Sequence, residues 1–408
     1  MKPLVEFDQF SPHYAANWRA IGEDLRESRP IAWSEAYGGF WIVSRYEDCT
    51  RVASDWETFS SENDVAGTGN GGHGIMIPRN PFQFALSESD PPQCLEIRKI
   101  ETPFLTFQNA RKWEETARGF ADEALDAAAE RGSIDFVRDF AIPVPARTVM
   151  KLAGVPDDDW KAFALTAYGA QVPRDHPDYP IDKIRHVQQL MLDLVQKRRA
   201  APQDDVISAL VQGCVKGRPM TDEMAVAVLS ALIFGGFDTA TTTICHMLML
   251  LDEKPELRAL VSGNQRKLEA AMEEVLRLTP PSHSMNRTVV KETEIHGQQL
   301  RPGDRIKMLW TAANRDPRMF ERPDEFWIDR PNANRHLSFS AGIHRCLGSL
   351  FGKMEIRVAI QTVLGRIGDY QVDREHVQRY ESFGSVAGYH ALPALFRPRT
   401  SPTEATAP

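Results

Sequence analysis

The chain has 408 residues, 42% hydrophobic and 25% charged, with a net charge of -8. Mixed signs and an acidic total exclude the basic face of a nucleic-acid binder. No Pro/Gly/Ser-rich linker or internal repeat divides the sequence, so one large domain is expected over residues 1–397, with 398–408 a loose tail.

Residues 4–10 are too polar for a membrane anchor. Ile31 to Ser44 reads as a hairpin turning at Tyr37-Gly38-Gly39. The run Gly67-Thr-Gly-Asn-Gly-Gly72 lacks the lysine and following helix of a phosphate-binding loop, so residues 62–89 read as a mobile cover. Cys49, Cys94, Cys214, Cys245 and Cys346 are odd in number and unrelated in spacing, and no basic-apolar leader opens the chain, which points to the cytoplasm.

Met224 to Leu251 is the most apolar stretch, but Asp238, His246, two glycines and a run of threonines interrupt it, so it reads as a buried helix rather than a membrane span. It should open after Thr221, with Asp222 and Glu223 in its first turn, and stop before Pro255. Glycine mid-helix costs roughly 1 kcal/mol relative to Ala, so Gly235 and Gly236 imply that the helix opens or that something packs hard against it. Asp238 and Thr239 place a carboxylate and a hydroxyl side by side. Taken alone, they fit back-bonding of Thr239 to a carbonyl one turn earlier as well as a chemical role.

Glu274 and Arg277 share a face of a helix spanning about Lys267 to Leu278, a spacing that by itself fits a solvated ion pair. Thr288 to Leu309 suggests a small strand region turning at His296-Gly297 and Pro302-Gly303. The most informative run is Phe339-Ser-Ala-Gly342-Ile-His344-Arg-Cys346-Leu-Gly348. Two glycines bracket the sulfur and would let the main chain approach a flat ligand. Leu347, Leu350, Phe351, Met354 and Val358 mark a following helix, whose N-terminus should favour the thiolate, and Phe339 can exclude water. A metal-ligating thiolate fits this arrangement better than an ordinary buried cysteine.

These residues match the haem-binding signature of the cytochrome P-450 family at Phe339, Gly342, His344, Cys346 and Gly348, and nearly the whole chain resembles soluble bacterial members, including camphor and cineole hydroxylases. The resemblance implies a mainly α fold with a small β region, with haem b held between a long distal helix and a proximal cysteine loop. Cys346 would be the axial iron ligand, a thiolate that favours O–O cleavage. Gly235 to Thr239 fill the family's distal-helix pattern, in which Thr239 orders water near dioxygen and Asp238 feeds protons. Arg330 would complete the Glu274–Arg277 pair into a buried charge network steadying the cysteine loop. Arg98, Arg287 and His336 would hold the haem propionates, with Cys94 standing where many relatives carry histidine.

By the same resemblance, Phe82, Phe84, Ala231, Phe234, Gly235, His283 and Val386 would line a mostly apolar pocket, His283 offering a hydrogen bond. The expected activity is monooxygenation of a small hydrophobic substrate, a terpenoid first. Dioxygen is the co-substrate, and a separate ferredoxin and NAD(P)H-dependent ferredoxin reductase supply electrons, since no reductase domain follows. These partners would dock over a basic patch of Arg98, Lys99, Arg111, Lys112, Arg345 and Lys353. A cytoplasmic monomer is expected, with neither membrane nor nucleic acid as partner. A peroxide-driven peroxygenase and a haem sensor without turnover are the alternatives.

Overall fold

The computed structural model describes residues 2–64, 72–79, 83–170, 172, 176–384 and 386–397. Phe82, most of the glycine-rich run (67–71) and the tail from 398 lie outside them.

Helix α1 (Pro12–Ser28) starts where Ser11 accepts the amide of Tyr14 and Pro12 takes the first helical position. The expected hairpin forms from β1 (Ile31–Ser34) and β2 (Phe40–Val43), with Ile31 opposite Val43. Its turn carries positive φ at Tyr37, Gly38 and Gly39, and a side chain at Gly39 would collide with Trp33. After α2 (Tyr46–Ser54), β3 (Phe59–Ser60) and α3 (Gln93–Glu101) come four longer helices. These are α4 (Glu114–Ala129), α5 (Pro143–Ala153), α6 (Trp160–Gly169) and α7 (Ile181–Ala200).

Helix α8 (Asp222–Glu253) runs where the apolar stretch predicts one. Thr221 accepts the amide of Met224 at 3.2 Å, and the acidic first turn opposes the helix dipole. The helix does not open at its glycines. Instead, a Cβ on Gly236 would stand 2.7 Å from Val149 Cγ2, so Gly236 is small because α5 crosses there, while a Cβ on Gly235 would meet no protein atom within 4 Å. Val228, Leu229, Ile233 and Phe237 pack into one apolar core and Ala240, Ile244, Met247 and Leu248 into another, and Asp238-Thr239 sits at the changeover. This burial on both sides accounts for a hydropathy that alone resembles a membrane span.

Helix α9 (Gln265–Leu278) is followed by β4 (Ser284–Val289), the hairpin β5 (Thr293–Ile295) and β6 (Gln298–Leu300), and β7 (Arg305–Leu309). The turns fall at His296-Gly297 and at Gly303, all with positive φ. A five-stranded sheet of order β1-β2-β7-β4-β3 results, β7 parallel to β2 and antiparallel to β4. Helix α10 (Ser349–Ile367) packs beside α8 and α4. The fold is mainly helical with small sheets, as expected.

Candidate active site

Cys346 lies on a tight loop ending at α10, whose cap is Gly348. Its amide donates to the carbonyl of Phe339 at 2.8 Å, and Ser340 and Gly342 adopt left-handed φ of 59° and 66° within the loop. Gly342 has a packing reason rather than the expected ligand one. Its Cβ would stand 2.7 Å from Ser54 Cα, so the loop lies directly on the end of α2. A Cβ on Gly348 would meet no protein atom within 4 Å, leaving that side of the loop open. Phe351, Met354 and Val358 are buried as predicted, but Leu350 is 46% exposed because it falls off that stripe.

The Cys346 residue is exposed, yet its thiol is desolvated. That desolvation raises the thiol pKa above its ordinary value, against the pull of the Gly348 amide, Arg98 and Arg345. The Gly348 amide at the helix end acts toward the anion, as expected, and ligation of a metal cation would remove the proton.

Arg98 on α3, Arg287 on β4 and His344 on the loop converge. Burial, then the charges of Arg287 and Arg98, push His344 down to about 3, which keeps its ring neutral. Arg287 is buried and donates Nη1 to the carbonyl of Asn286 at 2.8 Å. Its buried Nε and the Nε2 of His344 have no hydrogen-bond partner among the described residues. A buried guanidinium with an unused donor calls for an anion. These donors, the exposed Cys346 residue and the open Gly348 side fit an iron-bearing planar group with two carboxylates.

His336 does not join that set. Its Nδ1 accepts the amide of Ser338 at 3.2 Å, and its Nε2 faces Glu273 Oε2 at 3.2 Å, so both nitrogens are satisfied by protein. Glu273 also pairs with Lys353, whose charge is thereby spent inside the fold rather than on an external patch. Burial pushes the Cys94 thiol up to about 11, so it stays protonated at neutral pH.

On α8, Ala231, Gly235 and Thr239 recur every fourth residue and are not fully buried, nor are Leu232, Phe234 and Gly236 beside them, so this stretch of the helix keeps an open face. Thr239 Oγ1 donates to Gly235 O at 3.1 Å, the helix back-bond weighed from sequence. Asp238 is 5% exposed, and its charge raises the phenol pKa values of Tyr168 and Tyr380 further after burial has raised them. Phe234 is half-buried, its ring 6.4 Å from Phe163 and 6.2 Å from Phe237.

Phe84 is half-buried, and its amide donates to Glu88 Oε2 at 2.9 Å. Glu88 also accepts from the amide of Ile75 and the side chain of Asn63, tying the three described pieces of the expected mobile cover together. Sequence gave no sign of this, since Glu88 sits in a polar run that looks solvated. Val386 is buried. His283 is misplaced as a pocket donor. It is buried among Tyr14, Trp18 and Phe383 beneath α1, and burial, then His246 and Arg315, lower its pKa to about 3.

Glu274, Arg277 and Arg330 do converge. Arg277 reaches Glu274 through Nε at 2.6 Å and Nη2 at 3.0 Å, and Arg330 Nε lies 3.0 Å from Oε1. The amide of Trp327 adds a further donor to Oε1 at 2.9 Å. Burial would raise the Glu274 pKa, but these donors more than offset it and hold the carboxyl below its ordinary value. The arginines' remaining donors go to carbonyls of Asn314, Pro323, Glu325, Glu321 and Arg322.

Comparisons with known proteins show the family and the fold. The cytochrome P-450 family model matches residues 181–372. Erythromycin C-12 hydroxylase of Saccharopolyspora erythraea is 32% identical, over 91% of this chain and 92% of its own. A steroid C26-monooxygenase of Mycolicibacterium smegmatis is 31% identical over 80% and 82%. A solved structure of a mutant of P-450 EryK in complex with erythromycin B superposes with a TM-score of 0.83 at 30% identity, covering 96% of this chain and 99% of that one. With 32% identity along nearly the whole length of a named hydroxylase and the same fold, the chain belongs to the cytochrome P-450 family of haem-b monooxygenases.

Proposed function

We propose that this enzyme hydroxylates a small hydrophobic substrate, a terpenoid first, using dioxygen and electrons from a separate ferredoxin and its NAD(P)H-dependent reductase. The observation that carries the reading is the stripe Ala231–Gly235–Thr239, none of it fully buried, with no protein atom within 4 Å of a Cβ on Gly235. An apolar face with one hydroxyl suits an oily substrate held beside a proton donor.

Cys346 would ligate the iron, and Arg98, Arg287 and His344 would hold the propionates, the arginines by charge-assisted bonds. Bound haem supplies the activation of dioxygen. Thr239 Oγ1 has its own proton on Gly235 O, so its lone pairs remain to accept from a water in the cleft. Asp238, one residue before it, would exchange protons with solvent. Lys99, Arg111, Lys112 and Arg345 are exposed and can meet an acidic ferredoxin on the cysteine side, with Leu350 as an apolar contact. A cytoplasmic monomer fits this scheme.

The test is turnover of a terpene, steroid and macrolide panel with ferredoxin, reductase and NAD(P)H, products read by mass. One added oxygen on a terpene supports the proposal. Oxidation of macrolides or steroids alone would correct the substrate class, and turnover with peroxide but not with the electron-transfer proteins would replace the monooxygenase reading by the peroxygenase one.

A further inference from the structure

We propose that Asn314 is a positioning residue for Cys346, coupling the buried charge network to the cysteine loop; this rests on Cys346 being the iron ligand. Asn314 follows the short helix Trp310–Ala313 at the end of β7, and it is 0% exposed. Its backbone carbonyl accepts Arg277 Nη1 at 3.0 Å. Its side chain faces the other way. Oδ1 accepts the amide of Leu337 at 2.6 Å, and Nδ2 donates to Ser338 Oγ at 3.0 Å. The Ser338 hydroxyl in turn donates to the carbonyl of Leu276 at 2.6 Å, the residue beside Arg277.

The next residue, Phe339, supplies the carbonyl that takes the Cys346 amide at 2.8 Å. An unbroken path of short bonds therefore runs from Glu274 through Arg277 and Asn314 to Leu337-Ser338, and through Phe339 to the amide of the ligand residue. The far side of the loop is fixed separately, by Gly342 lying on α2. Among the described residues, Asn314 joins the near side directly to a carbonyl that Arg277 binds, beside the parallel ties of Ser338 Oγ to Leu276 O and of His336 to Glu273, since Arg277 and Arg330 themselves spend their donors on Glu274 and on carbonyls at 314–325. An amide suits the task. One acceptor and one donor are both needed, and in a fully buried place neither can be left unpaired cheaply.

The loop geometry that Asn314 helps to fix also places the backbone amide of Gly348 against the Cys346 sulfur, so Asn314 should influence both ligand retention and the iron reduction potential. The experiment compares wild type, Asn314→Ala, Asn314→Asp and Ser338→Ala as haem-loaded proteins. Readouts are haem content, melting temperature, reduction potential and the rate at which the reduced carbon monoxide complex loses its thiolate band. Asn314→Ala should lose that band about tenfold faster, with a shifted potential at unchanged haem content. Ser338→Ala should do so less. Asn314→Asp keeps the acceptor for Leu337 and should fall between Ala and wild type; if Asn314→Ala does not fold, it and Ser338→Ala carry the comparison. A lower melting temperature with wild-type potential and band lifetime in all variants would make Asn314 merely structural and overturn the inference alone. A wild-type protein with no thiolate band would overturn the ligand assignment and the inference with it.

Discussion

Arg330 Nε sits 3.0 and 3.1 Å from the two carboxylate oxygens of Glu274, a residue 56 positions earlier, in a place no water reaches. Glu274→Ala strips the counter-charge from both Arg277 and Arg330. The expected loss is ~3–5 kcal/mol, because two guanidinium groups are left buried without their carboxylate. Denaturant unfolding of the haem-loaded protein measures it, and a loss below ~1 kcal/mol would show that the arginines' carbonyl contacts suffice without Glu274.

The paired glycines of α8 should respond in opposite ways. Gly236→Ala drives a methyl into Val149 and should destabilise the fold, with recovery on adding Val149→Ala. Gly235→Ala meets no protein atom, so the fold should gain about 0.5–1 kcal/mol from helix propensity while the methyl narrows the open face and weakens substrate binding. Melting temperature and substrate titration of the two variants separate these effects. Equal stability losses would contradict the placement of Gly235.

Glu101 is 1% exposed, and neither of its carboxylate oxygens has a hydrogen-bond partner among the described residues. Burial raises its pKa to about 8, with Arg98 opposing. The folded chain thus keeps a proton that the unfolded chain, titrating near the ordinary 4.5, has lost. Stability contributed by this group falls as pH rises from about 4.5 to about 8, by on the order of a few kcal/mol. Glu101→Gln should match wild type near pH 4.5 and grow steadily more stable than it toward pH 8. A difference that stays flat with pH would contradict the assignment.

Thr239→Ala should leave haem binding and the fold intact, since its hydroxyl bonds only a carbonyl of its own helix. Electron consumption should then run ahead of product, with peroxide or water released instead. Measuring NAD(P)H used per product formed decides it; unchanged coupling removes Thr239 from proton delivery.

The parts of this molecule legible in sequence were those whose cause is local. The Thr221 cap, the hairpin at Tyr37-Gly38-Gly39 and the apolar run of α8 each carry their own signal within a few residues. The cysteine loop was legible as a pattern, but the reason for Gly342 was not, because its neighbour Ser54 is distant in the chain. The resemblance points to His336 as the propionate histidine and gives His344 only a place in the cysteine-loop signature. Only the fold shows that Glu273 and Ser338 occupy the first and leave a nitrogen of the second unused. His283 misled for the same reason, since nothing nearby in sequence announces that Tyr14, Trp18 and Phe383 enclose it. Asn314 and Glu88 were missed because a buried polar hub reads locally as an ordinary surface residue.

The central claim, that Cys346 ligates haem iron, is tested most directly by the optical spectrum of the purified protein, reduced under carbon monoxide, beside that of Cys346→Ser. The account predicts a strongly red-shifted band in the wild type that is lost in the variant. Absence of haem, a histidine-type spectrum, or persistence of the red-shifted band in Cys346→Ser would contradict it.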